Sequence, residues 1–359
     1  MTANASTPNT TPTAIVTGGF GEAKDVLRII QATLPAGPLG PDQAHVQTLY
    51  APINPADFLR MRGDFGFPFG GDFTLGGEAC GRVMEVGSDV PPEQLKPGDL
   101  VVLPFGDTWA EERVLPADKC VSVNPDAEPQ QVAFLGINGI TPELLLETTD
   151  LQEGDWMIQN AANGAVGQLV IKAAQSRGIR TCNIVRSERG KAQLNSVVGE
   201  NDVIVVGDQN DLKSRVAAAT GNAVIKLGLD AVSGESAGAL LSCLGFGGHL
   251  TCYGLLSGKP LTLPAGKVAF GGVTVAGFSR FRVLMKIGIE DAQKRLRSLA
   301  DKTVKGEIGV EVAKVYDFET EEELYKAMEH AEQESRGGKI LLRFNTGKGS
   351  GKSGEKKEE

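Results

Sequence analysis

Residues 155–191, DWMIQNAANGAVGQLVIKAAQSRGIRTCNIVRSERGK, decide the fold of this chain. The segment opens and closes with short apolar runs, at 156–158 and 181–185, each typical of a buried parallel strand. Between them apolar residues recur at helical spacing from Val166 onward, and Gly178 is expected to end the helix. The pattern therefore predicts a strand–helix–strand unit, the building block of a parallel sheet.

A glycine fingerprint, Ala161-x-x-Gly164-x-x-Gly167, lies in the loop between the first strand and the helix. Small residues let the backbone approach the diphosphate of a dinucleotide, whose negative charge then lies at the positive end of the helix. A purely structural turn can carry the same glycines, and that alternative stays open. The position between a strand and a helix favours the dinucleotide.

The end of the second strand indicates which nicotinamide cofactor fits. NAD enzymes usually place an acid there to bind the ribose 2′-hydroxyl. This chain has Arg186, followed by Arg189 and Lys191, with Glu188 among them. A guanidinium binds a 2′-phosphate through paired hydrogen bonds, whereas a carboxylate repels it. We therefore expect NADPH; a solvated basic loop is the alternative.

Composition excludes several classes of function. The 359 residues carry a formal net charge of −9, which does not favour nucleic acid. No apolar run is long enough to cross a membrane. The five cysteines are dispersed without C-x-x-C spacing, which indicates reduced thiols and an intracellular protein. Residues 1–12 have neither the apolar segment of a secretory signal nor the basic face of a presequence. A cytoplasmic location is preferred over a mitochondrial one.

The remaining pattern predicts an α/β protein with two domains. Short strands between Gly and Pro residues indicate a β-barrel catalytic domain of the GroES-like type over 13–137, with a helix at 55–62 and a helical stretch at 129–147 that Pro142 breaks. Alternating strands and helices over 138–305 predict a doubly wound parallel Rossmann sheet. Residues 306–345 are expected to return to the first domain, and 1–12 and 346–359 to be disordered.

Several motifs, running in order from about residue 51 to 345, resemble the medium-chain dehydrogenase/reductase superfamily. Within it, the chain is most similar to mitochondrial-type 2-enoyl thioester reductases. INPAD and the QNAxN loop are fairly specific, whereas KPGD is shared across the superfamily. The matching stretches are APINPAD at 51–57, LKPGD at 95–99, GIN at 136–138, QNAANGAVGQ at 159–168, NIVR at 183–186, YG at 253–254 and GF at 277–278.

The resemblance implies a set of cofactor contacts. It includes the fingerprint loop and Arg186, which the residues indicate by themselves, and it adds aromatic positions that otherwise look like core. With Gly167 and Arg189 from the motif itself, the expected cofactor-binding residues are Asn138, Asn163, Gly164, Ala165, Val166, Gly167, Arg186, Arg189, Tyr253, Gly254, Phe278 and Lys339.

The resemblance also implies that the enzyme is metal-free. Zinc-dependent members have a Cys in the segment matching Asn54 and a His in the segment matching Gly77. The three histidines are far apart in the sequence, so no His/Cys cluster has ligand spacing.

One departure leaves the catalytic residue unknown. The reductases carry a tyrosine in a G-x-Y segment, thought to protonate the substrate, and this chain has Phe65 there. A positioned acid typically contributes about 10²–10⁴-fold. The family's aromatic residue after Phe278 is replaced by Ser279, which suggests a reshaped acyl pocket.

The leading hypothesis is NADPH-dependent reduction of an activated C=C bond, most simply of a 2-enoyl thioester linked to CoA or acyl carrier protein. Asn54, Phe65 and Trp109 are expected to line the substrate cleft, with ordinary packing as the alternative. A quinone or α,β-unsaturated carbonyl reductase, and an NADPH-binding protein with vestigial activity, stay open. The apolar, β-branched run at 271–278 predicts an edge strand of the nucleotide-binding sheet. The resemblance implies that two such edges pair in a homodimer, and a covered edge in a monomer is the alternative.

Overall fold

A computed structural model describes residues 13–64, 73–200, 202–207, 211–334 and 336–344. Its contacts divide the chain into two compact units. One unit runs to Pro125 and takes up the chain again at Val312–Arg336 and from Ile340; the other contains Asp126–Glu311 and Gly337–Lys339. The sequence places the corresponding boundaries after residues 137 and 305.

The first unit is built mainly of strands. Strands and helices are numbered in order along the whole chain, so the numbers within one unit are not continuous. Its strands are β1 (Thr13–Thr17), β2 (Leu27–Gln31), β3 (Gln43–Pro52), β4 (Phe73–Thr74), β5 (Ala79–Val86), β6 (Leu100–Leu103), β7 (Glu112–Pro116), β8 (Val121–Ser122), β15 (Val312–Asp317) and β16 (Lys339–Arg343). Its α-helices are α1 (Ala23–Val26), α2 (Pro55–Arg62) and α12 (Glu321–Glu332).

The long strand β3 organises the first unit. It pairs antiparallel with β5 along one edge, and its other edge is shared by β7 near Gln43 and by β16 near Pro52. The resulting sheet has the order β15-β16-β3-β5-β6-β8, and a smaller sheet has the order β2-β1-β4. The C-terminal strand thereby returns to the first unit. The core between these elements is continuous and includes Val46, Ile53, Trp109 and Phe344.

Helix α2 has the bounds that the sequence predicts, because strong signals mark both of its ends. Asn54 and Asp57 form a reciprocal capping box at its start, and Pro55 occupies the first helical position, where a missing N–H costs nothing. Gly63 ends the helix at φ +81°, a left-handed conformation that glycine adopts without strain.

The second unit alternates strands and helices. Its strands are β9 (Trp156–Gln159), β10 (Arg180–Val185), β11 (Asp202–Val206), β12 (Ile225–Asp230), β13 (His249–Cys252) and β14 (Thr274–Gly277). Its helices are α3 (Pro129–Val132), α4 (Ile140–Leu146), α5 (Ala165–Gln175), α6 (Glu188–Leu194), α7 (Leu212–Thr220), α8 (Gly234–Cys243), α9 (Ala265–Phe270), α10 (Arg280–Ile287) and α11 (Ile289–Val304).

The six strands of this unit form one parallel sheet in the order β11-β10-β9-β12-β13-β14. Successive residues of β9 face opposite layers: Met157 packs with Leu227 and Leu229, and Ile158 packs with Cys182 and others. Both faces are therefore covered, as expected of a doubly wound sheet. The predicted fold class, a GroES-like domain with a Rossmann sheet, is confirmed.

One local prediction was wrong, and several short helices were not predicted. Pro142 does not break the helical stretch at 129–147: the interruption is a π-helical turn at Leu135–Gly139, and Pro142 lies in the first turn of α4, where it removes no helical hydrogen bond. Gly178 ends helix α5 as predicted: it has φ +66°, and around it the N–H of Ile179 donates to Ala174 O at 3.0 Å, the bond that closes a helix at a left-handed glycine. The short helices α1, α6, α9 and α10 were not predicted, because eight residues or fewer show little helical periodicity and none of these four begins with a proline as α2 does.

Candidate functional site

The carboxyl edge of the six-stranded sheet collects most of the predicted cofactor residues. Strand β9 lies between β10 and β12, so the chain leaves β9 and β12 toward opposite sides of the sheet. Ligands of open α/β sheets bind in the crevice at such a switch point. The fingerprint loop follows β9, Arg186 follows β10, Tyr253 follows β13 and Phe278 follows β14.

The fingerprint loop is shaped by close backbone packing. A Cβ on Gly167 would lie 2.5 Å from the carbonyl oxygen of Ala162, so no larger residue fits without moving the helix from the loop. Ala161 has φ +48°, a left-handed conformation that is unfavourable for alanine. Gly164, in extended conformation, is the N-cap of α5, and no side chain caps this helix end. The N-cap glycine therefore offers no side-chain acceptor to the first-turn amides of α5, which fits an anionic group at this helix end.

Asn163 is tied to neighbouring elements. Its side-chain amide donates to Gln193 Oε1 at 2.8 Å, and its backbone carbonyl oxygen accepts from Gln168 Nε2 at 2.9 Å. Gln193 belongs to α6, the helix that follows Arg186. These bonds hold the loop after β9 against the helix after β10, so the loop and the basic residues form one surface.

Arg186 and Arg189 lie where β10 passes into α6, and both side chains are exposed. Ser187 caps α6 by accepting from Gly190 N at 3.2 Å. A Cβ on Gly190 would lie 3.2 Å from Val185 Cβ and 3.5 Å from the Asn163 side chain, so glycine allows α6 to approach the loop. Both arginines thus lie at the carboxyl end of β10, beside the fingerprint loop.

Tyr253 and Gly254 continue β13 beyond its carboxyl end. The backbone N–H of Tyr253 donates to Asp230 O at 2.8 Å, and a Cβ on Gly254 would lie 2.5 Å from Ala231 O. Burial, reinforced by the nearby Asp230 charge, raises the pKa of the Tyr253 phenol, which therefore stays protonated. Tyr253 and Phe278 also pack on the cluster around Met157, so their rings contribute to the core as well.

The remaining two predicted contacts, Asn138 and Lys339, do not follow strands of the six-stranded sheet. Asn138 is buried in the π-helical turn Leu135–Gly139, which packs against α5. Lys339 is buried at the start of β16, and its backbone N–H donates to Glu311 O at 2.8 Å. Both residues belong to the second unit.

The expected cleft residues belong to the first unit. Asn54 is buried, and its side-chain amide donates to Glu78 Oε1 at 2.9 Å. Trp109 is fully buried in the core, with no partner for its indole N–H among the described residues. Complete burial favours the packing interpretation of Trp109. Phe65 lies outside the described residues.

Metal ligands are not brought together in the described part of the chain, where no three His, Cys, Asp or Glu side chains form a cluster that could hold an ion. The histidines contact other groups: His45 contacts Glu112, His249 contacts Thr274 and His330 contacts Tyr316. Among the helices of residues 13–344 that are described, none is long and apolar enough to cross a membrane.

Sequence reasoning missed three polar residues of the site. Asn160 and Asp230 are buried and joined by a hydrogen bond of 2.6 Å. Gln159 Nε2 donates to Gly167 O at 3.0 Å and to Asn183 Oδ1 at 2.8 Å. A run of polar side chains at the ends of otherwise apolar strands was the available signal, because a buried amide or carboxylate requires a partner.

Two family models match the chain. The alcohol dehydrogenase GroES-like domain matches residues 40–152, and the zinc-binding dehydrogenase model matches residues 165–301. A mitochondrial enoyl-[acyl-carrier-protein] reductase from Rattus norvegicus is 31% identical over 270 residues, which cover 74% of this chain and 71% of that protein. Its Xenopus tropicalis counterpart is 31% identical over 298 residues, covering 80% and 83%.

Solved structures share the fold over nearly the whole chain. The mitochondrial 2-enoyl thioester reductase Etr1p/Etr2p heterodimer from Candida tropicalis has a TM-score of 0.80 at 25% identity, covering 93% of this chain and 100% of that one. An Etr1p/NADP/crotonyl-CoA complex has a TM-score of 0.79 at 24% identity, covering 92% and 99%. A Bacillus thuringiensis protein assigned as an NADPH:quinone reductase has a TM-score of 0.83 at 24% identity, covering 92% and 98%.

The matches are consistent with one another and with the motifs in the sequence. The family models fall on both units, and the curated relatives exceed 30% identity over more than two thirds of their own length, at 71% and 83%. The chain belongs to the medium-chain dehydrogenase/reductase superfamily of oxidoreductases and is homologous to the mitochondrial enoyl-[acyl-carrier-protein] reductases.

Proposed function

We propose that this oxidoreductase uses NADPH to reduce the activated C=C bond of a 2-enoyl thioester linked to CoA or acyl carrier protein. The observation that carries the proposal is the carboxyl edge of the sheet, where an uncapped helix end and exposed guanidinium groups follow adjacent strands. The names of the curated relatives support the substrate class.

The chain would hold the cofactor with backbone and side-chain groups of different kinds. The amides that begin α5 would bind the diphosphate, and Gly167 allows that close approach. Arg186 and Arg189 would bind the 2′-phosphate. Asn138, Asn163, Tyr253, Gly254, Phe278 and Lys339 are proposed as further contacts. Bound NADPH supplies the hydride, and the protein supplies orientation and electrostatics.

The proposed reaction needs a proton donor other than the tyrosine of the similar reductases. Phe65 has no ionisable group, so water or another donor must protonate the α-carbon in the proposed reaction. Phe65 favours, as a second candidate, reduction of a quinone, because a reduced quinone takes its protons on oxygen, where water supplies them. An α,β-unsaturated ketone stays an alternative acceptor, although its enolate needs an α-carbon proton as the thioester does.

Absorbance of NADPH at 340 nm, followed against a panel of acceptors, tests the proposal. We expect oxidation by trans-2-enoyl-CoA thioesters at a higher kcat/KM than by small quinones or enals. Preference for quinones would establish the second candidate instead. Tight binding of NADPH without oxidation by any acceptor would show a cofactor-binding protein with vestigial activity.

We also propose a homodimer that pairs the edges of two six-stranded sheets. Strand β14 is an edge strand, and Thr274, Ala276 and Gly277 on it are exposed. Two aromatic side chains near this strand are also exposed. Phe246, whose ring lies beside Gly272, is 84% exposed, and Phe270, four residues before β14, is 85% exposed. Burial of these rings against a second copy would remove an apolar patch and an open edge. Sedimentation equilibrium should give twice the monomer mass; a monomer at all concentrations would exclude the dimer.

The curated relatives are named mitochondrial, so we propose a mitochondrial location. The preference for the cytoplasm that the sequence suggested has no support in these relatives. Fractionation of the source cells, with the protein detected by antibody, tests the location; recovery in the cytosol alone would contradict it.

A further inference from the structure

The buried carboxylate of Asp230 lies at the carboxyl end of β12, beside the fingerprint loop. It is fully buried, and no described residue forms an ion pair with it. Four hydrogen bonds replace water: Oδ1 accepts from Asn160 Nδ2 at 2.6 Å and from the N–H groups of Val232 and Ser233 at 3.1 Å, and Oδ2 accepts from Ser233 N–H at 3.1 Å. Such a group is costly to bury without partners, so the arrangement is specific.

Asn160, the residue directly after β9, connects the fingerprint loop to the turn after β12 through its side-chain amide. Its Nδ2 also contacts Ser236 Oγ at 2.9 Å, and its Oδ1 accepts from Ala231 N–H at 2.8 Å. Both atoms of the amide are therefore used, and the amide links the exit of β9 to the exit of β12. Residue 161, directly after it, holds the unfavourable φ of +48°. The side-chain contacts of Asn160 fix the position at which that turn begins.

The turn after β12 is linked in the same way to the loop after β13. Ser233 has φ +68°, and its Oγ donates to Lys259 O at 2.9 Å. The N–H groups of Tyr253 and Leu256 donate to Asp230 O and Ala231 O. Burial and the Asp230 charge raise the pKa of the Cys252 thiol to about 12, which shows how close the carboxylate lies to the end of β13.

We propose that Asn160 and Asp230 are positioning residues that align the fingerprint loop with the Tyr253–Gly254 loop for the dinucleotide. The inference rests on the proposed function, in which both loops contact the cofactor. Neither side chain is assigned a contact of its own with the ligand. Because the diphosphate and the nicotinamide half are common to both cofactors, the alignment should affect NADPH and NADH to the same extent, unlike Arg186.

Exchange of the two side chains tests the contact. In Asp230→Asn, an amide N–H faces the N–H of Asn160 or of Ser233, so two donors meet. The double variant Asn160→Asp/Asp230→Asn places a carboxylate at 160 and an amide at 230, so the contact between the two side chains again joins a donor to an acceptor. The amide oxygen at 230 still accepts from Ser233 N–H, whereas Val232 N–H loses its acceptor. Asp155→Asn is the matched control: Asp155 accepts from Lys226 Nζ at 2.7 Å at the amino end of β9.

Titration of intrinsic fluorescence with NADPH and with NADH, together with melting temperatures, gives the readouts. We expect Asp230→Asn to weaken the binding of both cofactors by a similar factor of about tenfold or more. The double variant should recover part of this loss, and Asp155→Asn should lower only the melting temperature. A lower melting temperature of Asp230→Asn with unchanged affinities would overturn the proposal. Failure of the double variant to recover affinity would do the same.

Two further measurements test the positioning role if Asp230→Asn does not fold or if the wild type binds no cofactor. If Asp230→Asn does not fold, Asn160→Ala replaces it, because it leaves the Val232 and Ser233 contacts intact. If the wild type binds neither cofactor, the proposed function fails, and amide hydrogen exchange at 161–164 and 231–233 tests the alignment alone. Faster exchange in the variant supports the positioning role; unchanged exchange overturns it.

Discussion

The two units of this chain present their functional residues in different ways. In the second unit, the candidate site is built on close backbone packing, here called the backbone cradle: Gly167 against Ala162, Gly254 against Ala231, and the start of α5. In the first unit, it consists of single side chains, such as Asn54 bonded to Glu78. A backbone cradle tolerates few residue types at fixed spacing, whereas a single substitution can change the function of a side-chain site. The cofactor is therefore easier to infer than the substrate.

The substitution Gly167→Val should disrupt the backbone cradle most and cause the largest loss of stability. Its side chain would start 2.5 Å from Ala162 O and force α5 away from the loop. We expect a loss of about 3 kcal/mol or more in the free energy of unfolding, since overpacking against backbone cannot relax by rotamer change. Urea denaturation and NADPH titration measure the effect.

Gly266→Val is the control for this change, because a Cβ there meets nothing within 4 Å. It should change the free energy of unfolding by less than about 1 kcal/mol. Equal stability and cofactor affinity of the two variants would mean that the loop is not a close-packed cradle.

Arg186→Ala should sharpen the comparison, because it changes a side chain at the edge of the cradle. Loss of a charge-assisted contact to the 2′-phosphate costs roughly 1.5–3 kcal/mol for NADPH and little for NADH. Titration with each cofactor measures the difference. Arg180→Ala, at the amino end of the same strand, should leave both affinities unchanged. An equal loss for both cofactors in Arg186→Ala would reject its assignment to the phosphate.

The first unit can be probed at Asn54. Asn54→Ala removes the hydrogen bond to Glu78 and half of the capping box with Asp57. We expect a loss of about 2 kcal/mol in the free energy of unfolding, with unchanged affinity for NADPH. Chemical denaturation checks the first value. A lower NADPH affinity at unchanged stability would show that Asn54 serves the cofactor instead of the first unit's structure.

The smallest expected effect is the return of a hydroxyl in Phe65→Tyr. We expect about a tenfold higher turnover of enoyl thioester, or about 1.4 kcal/mol in the barrier, and little change in melting temperature. Steady-state rates with trans-2-enoyl-CoA measure it. A drop in stability of about 1–3 kcal/mol without a faster rate would identify Phe65 as a packing residue.

The parts predicted from sequence share one property, namely that their signals are local. The fingerprint loop, the strands beside it and α2 with its caps follow from residues a few positions apart. The Asn160–Asp230 contact joins residues 70 positions apart, so no local pattern contains it. The prediction that Pro142 breaks the helical stretch was wrong because proline is tolerated in the first turn of a helix. Where that first turn lies depends on packing, which the local sequence does not show.

A crystal structure of the chain with NADPH tests the central claim most directly. We expect the diphosphate at the N-terminus of α5, over Gly164 and Gly167, and the 2′-phosphate within about 2.7–2.9 Å of a guanidinium nitrogen of Arg186. Density for the cofactor at another place on the protein, or a 2′-phosphate directed away from Arg186, would contradict the account.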